Sequence, residues 1–142
     1  MTFATSGLAA QAPAECAPVT AARGAAITFG HEGGSLRPRT VAIFADGAVR
    51  SGGDAATDSV ASLAPAAVSA LVRFARNEGF WTVRAPAARR PPANPDAARS
   101  FIEVRATCGV RRAEFVMGEP WPRAFEEFNA LLSAVAASPG RP

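Results

Sequence analysis

The chain is 142 residues long, 49% apolar and only 19% charged, which suits one globular domain with a sizeable core. It holds no run near the roughly 20 apolar residues that span a bilayer. Its pI is near 10.0, yet the net charge is only +3, all 15 basic residues are Arg, and acidic residues are interleaved with them. That pattern lacks the aromatic-rich basic strand or recognition helix of a nucleic-acid binder, so no nucleic-acid partner is expected. The heavy use of Ala, Gly, Pro and Arg, without Lys or Tyr, matches a GC-rich bacterial genome.

Residues 1–23 are small, Pro-interrupted and aperiodic, and read as a flexible leader. Ala10 and Ala12 have the Ala-x-Ala spacing of a secretory cleavage site, although a basic n-region is missing and the apolar stretch is short. Cys16 and Cys108 are too few for zinc and too far apart for a Cys-x-x-Cys redox pair. They suit a single disulfide. The leader and the cysteine pair together favour export to a periplasmic or extracellular compartment, with a cytoplasmic location as the alternative.

The domain is expected over 24–137. A first strand at Ile27 to Phe29 is followed by a glycine-rich loop, Gly30 to Arg39, and a second strand over Thr40 to Ala45 with Val41 and Ile43 on one face. Asp46-Gly47 predicts a two-residue type I′ turn into a third strand at Ala48 to Arg50. Gly52 to Leu63 reads as a polar connection. Pro65 then opens a helix with Val68, Leu71, Val72 and Ala75 as its apolar stripe, ended by Gly79 with Phe80 folding back onto the last turn.

Ala85 to Asp96 holds four prolines and is expected to be a loop. Ser100 to Thr107 and Val110 to Met117 form a second hairpin around Cys108-Gly109, with Ile102, Val104, Ala113, Phe115 and Met117 inward. Outward lie Glu103, Arg105, Arg112 and Glu114, with like charges directly opposite offset by diagonal pairs, and Phe101 facing Val116 as an apolar docking or dimer surface. Pro120 and Pro122 start a last helix carrying Trp121, Phe125, Phe128, Leu132 and Val135, and residues 138–142 form a disordered tail. The expected fold is α+β: an antiparallel sheet of about five strands in the order β-β-β-α-β-β-α, with both helices on one face.

Enzyme chemistry finds few candidates here. His31 is the single histidine, so any Ser–His–Asp or Cys–His group must be built on it, and a zinc site lacks convergent ligands. Gly33-Gly34 lacks the spacing of a phosphate-binding loop. Asp46 and Asp96, the one imaginable acid pair, are each explained by a turn or a strand start. No catalytic residue, cofactor or metal is therefore expected. The function predicted is binding.

Ile27-Thr28-Phe29 before Gly33-Gly34, the Asp46-Gly47 hairpin, the Pro-started helix ending in Gly79-Phe80-Trp81, and Pro95-Asp96 before a strand and closing helix together resemble the emfourin-like family of small bacterial domains. The resemblance covers roughly residues 25 to 135, and its motifs are spacings. The chain departs from the family at Ser35-Leu36-Arg37, where relatives tend to carry an aromatic and small residues, and in its cysteines. The family is named for an inhibitor of thermolysin-like metalloproteases such as protealysin, so the resemblance implies inhibition of a secreted metalloprotease by docking. The alternative is a non-catalytic envelope interaction or structural domain. The residues expected to meet a protein partner are His31, Glu32, Gly33, Gly34, Leu36 and Arg37 of the Gly-rich loop, with Trp81 and Phe101 elsewhere.

Overall fold

The computed structural model describes residues 16–84 and 96–137. The leader through residue 15, with its Ala10 and Ala12 cleavage spacing, the Pro-rich stretch 85–95 and the tail 138–142 lie outside the described residues. The elements are β1 (Ile27–Glu32), β2 (Arg39–Ile43), β3 (Ala48–Gly52), β4 (Asp58–Ser62), α1 (Pro65–Asn77), β5 (Arg99–Ala106), β6 (Gly109–Val116) and α2 (Arg123–Ala137). The strands form one six-stranded sheet in the order β4-β3-β2-β1-β5-β6, and every neighbouring pair is antiparallel.

The period-2 pattern of the strands decides which face is covered. Ile27 and Phe29, Val41 and Ile43, Val49, Ile102 and Val104, and Ala113 and Phe115 all enter one buried cluster. Val68, Leu71, Val72 and Ala75 of α1 join them there, with Phe125, Phe128 and Leu132 of α2, so both helices pack on the same face. Rings close the space between the helices: Phe80 stands 5.1 Å from Phe128, and Phe115 meets Phe125 edge-on at 4.8 Å. Gly79, in the left-handed region at φ 98°, ends α1 and turns the chain so that Phe80 enters this core. A methyl at Gly79 would stand 3.2 Å from the Ala124 Cβ, so the end of α1 and the start of α2 meet tightly.

The structure departs from the pattern expected of the sequence at several points. The first strand does not stop at Gly30; β1 runs through His31 and Glu32, which pair with Arg39 and Arg99. Gly30 looks like a break in the sequence but marks a close approach, since a Cβ there would collide with the Arg39 carbonyl oxygen. The stretch read as a polar connection contains β4, an exposed edge strand with too little apolar alternation to announce itself. A bulge opposite Val49/Arg50 leaves Val60 out of the pairing.

The Asp46-Gly47 hairpin forms, but through a three-residue loop. Phe44 and Ala48 close it, the Phe44 N–H donating to Ala48 at 2.9 Å, and Gly47 at φ 96° takes the left-handed position after the turn. Asp46 Oδ1 accepts the Ala48 N–H at 3.0 Å, which is why an Asp precedes the glycine. In the second hairpin the turn is Thr107-Cys108, one residue earlier than expected, and Ala106 pairs with Gly109. The faces are unchanged because each residue's partner moves by two positions. Partners do change: Glu103 faces Arg112, Phe101 faces Glu114 and Val116 faces Arg99, so no like charges stand opposite.

The chain is also anchored well before Gly24. Ala17 to Arg23 run beside the tip of the second hairpin, with Val19 N–H donating to Arg105 O at 3.1 Å and Thr107 N–H to Ala17 O at 2.8 Å. Cys16 and Cys108 are bonded, with Cα atoms 4.9 Å apart. The reading of 1–23 as a uniformly flexible leader therefore fails over 16–23, where backbone bonding and the crosslink hold a Pro-containing segment that has no period of its own.

Candidate binding loop

The link between β1 and β2 leaves the sheet from its centre, because β1 is flanked by β2 and β5. At its base His31 lies between Arg39 and Ser100, and Glu32 beside Arg99. Residues 32–39 are all exposed. Gly33 and Gly34 take left-handed conformations at φ 80° and φ 60°, which other residues adopt only with strain. Gly34 has a second reason to be glycine: a Cβ would collide with the backbone of Asp96 and Ala97.

The next residue fixes the loop in place. Ser35 donates its N–H to the Asp96 carbonyl at 3.0 Å and its hydroxyl to the same oxygen at 3.4 Å. The loop is thus held by strands at both ends and by the start of the β5 approach in the middle. Leu36, 48% exposed, follows the anchor directly, with Arg37 exposed beside it and Pro38 limiting the backbone after it. An exposed Leu on a pinned loop flanked by Arg37 and Arg39 is an apolar knob in a positive rim.

The remaining site residues do not join it. Trp81 is half-buried past the end of α1, packed against the core with the Arg76 guanidinium 5.8 Å above its ring. Phe101 lies on the sheet face opposite the helices and was expected as a docking contact; it is only 4% exposed. Its neighbour on β1 is Gly30, which has no side chain, and Arg112 covers the ring at 4.6 Å while also reaching Glu114 at 3.4 Å and Glu32 at 3.7 Å. That apolar contact is therefore closed by a cation. Glu32 is accordingly a strand residue engaged with Arg112, and His31 is a half-buried strand residue whose Nδ1 is buried without a hydrogen-bond partner.

Among the described residues no group of three or more His, Cys, Asp or Glu side chains converges. Asp46 and Asp96 lie at opposite ends of the sheet: Asp46 follows Ile43, which pairs with Ile27, whereas Asp96 precedes Arg99, which pairs with Glu32. The five residue-to-residue steps from 27 to 32 alone span about 17 Å of strand, beyond the roughly 5 to 10 Å that a glycosidase acid pair needs. No described helix is long and apolar enough to cross a membrane. The residues missed from sequence are Asp96 as the loop's anchor and Arg112 as the cover on Phe101. Nothing local signals either, because both are contacts between strands distant in sequence. Comparison with protein-family models, with curated proteins and with solved structures gives no match.

Proposed function

We propose that this chain is a protein-binding module that inhibits a thermolysin-like metalloprotease by docking the loop 33–38 against it. The observation that carries the reading is Leu36, exposed at the tip of a loop that Ser35 and Gly34 hold to the Asp96–Ala97 backbone. A pinned loop loses little conformational entropy on binding, so more of its contact energy becomes affinity. The emfourin-like spacing supports a metalloprotease as the partner, and the Cys16–Cys108 bond supports an oxidising, exported setting. The module acts by occupying the enzyme's apolar pocket with Leu36. Its own side chains carry out no chemistry.

Leu36→Asp tests the contact. Leu36 makes no core packing, so the variant should melt like the parent. Losing the buried Leu removes about 2 to 3 kcal/mol, and desolvating a carboxylate adds more, so the inhibition constant should rise on the order of a hundredfold or beyond. A variant that inhibits as well as the parent places the contact elsewhere. An interaction or structural domain without a protease target is the competing reading; it predicts no effect of either protein on a panel of thermolysin-like enzymes.

A further inference from the structure

The two edges of the sheet are unlike. β4 is a five-residue strand with an irregular register against β3, the usual way an edge is kept from pairing. β6 is eight residues long, and its register against β5 runs unbroken from Gly109 to Val116. Among the described residues no strand pairs with its outer side.

Backbone alternation fixes which groups of β6 remain open. Arg105 donates its N–H to Ala26 and accepts one from Val19, so the odd positions of β5 bond away from β6. The even positions of β5 bond toward β6, where the register sets them against Arg111, Ala113 and Phe115. Met117 continues the series by donating to Ala98 at 2.8 Å. The N–H and C=O groups of Val110, Arg112 and Glu114 therefore point away from the sheet, as does the Val116 N–H, while the outward Val116 carbonyl is already taken by the Trp121 indole N–H at 2.8 Å and the Glu119 N–H at 3.3 Å.

We propose that β6 pairs antiparallel with β6 of a second copy of this chain, about a two-fold axis at Ala113, joining two six-stranded sheets into one. In that register Arg112 faces Glu114 of the second copy and Glu114 faces its Arg112. Val110 faces Val116 and Val116 faces Val110. The Arg112–Glu114 pairs exchange both main-chain hydrogen bonds, which carry the affinity of strand addition. At the Val110–Val116 pairs only the Val116 N–H can donate across, the Val116 carbonyl being held by Trp121 within its own chain. The smallest shifts that keep this bonding parity move the partner by two residues. They set Arg112 against Arg112 or Glu114 against Glu114, both repulsive. The strand is thus self-complementary in one central register. The same pairing covers Val110, which at 61% is the most exposed of the large apolar side chains found on the described surface.

Sedimentation equilibrium of the full 142-residue chain over a concentration series tests this. The mass should rise with concentration from 14.6 kDa toward twice that value. Glu114→Arg places Arg against Arg at both ends of the axis and should weaken the dimer on the order of tenfold or more. The charge-swapped R112E/E114R chain restores both opposite-charge pairs and should dimerise again. Because Arg112 also covers Phe101, a circular dichroism melt accompanies each variant, and Val110→Lys, at a position with no core contact, serves as a second disruption. A parent that stays at 14.6 kDa throughout overturns the proposal, as does a dimer that neither Glu114→Arg nor Val110→Lys weakens.

Discussion

Replacing both cysteines, as C16S/C108S, isolates what the crosslink does for this fold. The bond closes a loop with a sequence separation of 92 residues, so in the chain-entropy model it removes about 4 to 5 kcal/mol of denatured-state freedom. The native state offsets part of that. Without the bond the arm is held by Val19 to Arg105, Thr107 to Ala17 and the Ala17 N–H on Thr107 Oγ1, contacts near the surface that can fray. Ile27 onward stays in the sheet regardless. A net loss of about 2 to 4 kcal/mol follows, and with a urea slope of about 2 kcal/mol/M the midpoint should fall by about 1 to 2 M. The slope itself should rise, because an uncrosslinked unfolded chain exposes more surface. Urea titration followed by circular dichroism measures both. An unchanged midpoint would show that Cys16 and Cys108 do not constrain the chain, and would remove the structural support for export.

Gly30→Ala should be among the most destabilising single substitutions, by more than about 3 kcal/mol, because its methyl collides with the Arg39 backbone in the middle of the sheet; a thermal melt matching the parent's would contradict the β1–β2 spacing. Phe101→Ala should cost about 2 to 3 kcal/mol, below a full core Phe since the ring lies under Arg112 and not between the layers, and should lower Tm by about 6 to 9 °C. If Phe101→Ala instead alters protease inhibition with the melt unmoved, the ring is a contact after all. Glu127→Gln removes the partner that holds the Arg123 guanidinium above its ordinary pKa through a 2.8 Å bond, yet Arg123 is fully exposed, so calorimetry should find no change in Tm.

Much of this architecture was legible because the signals were local. Pro65, the 3.6-residue stripe from Val68 to Ala75 and Gly79 define α1 within a single stretch of chain, and the alternation of Ile102, Val104, Ala113 and Phe115 defines which face of the second hairpin is buried. Chain punctuation misled where it had two physical meanings. Gly30 is a close approach inside a strand, yet in sequence it is identical to the turn glycines Gly33 and Gly34. β4 escaped notice because an edge strand needs little apolar surface, and its bulge disrupts the alternation that would reveal it. The loop was visible as an exposed Gly-rich segment with an isolated Leu36. Its anchoring was not, because the Asp96 carbonyl that accepts from Ser35 lies 61 residues further along the chain and carries no side-chain signature. Phe101 likewise reads as an outward apolar residue until Arg112 is seen over its ring.

Inhibition is the central claim, and titrating a thermolysin-like protease with the purified chain while following hydrolysis of a peptide substrate tests it most directly. The account predicts a dose-dependent loss of activity reaching completion near one binding loop per enzyme molecule, with the chain recovered uncleaved after long incubation. Hydrolysis that proceeds unchanged at a large excess of the chain across a panel of such enzymes, or a chain that is itself cut within 33–38 and released, would contradict it.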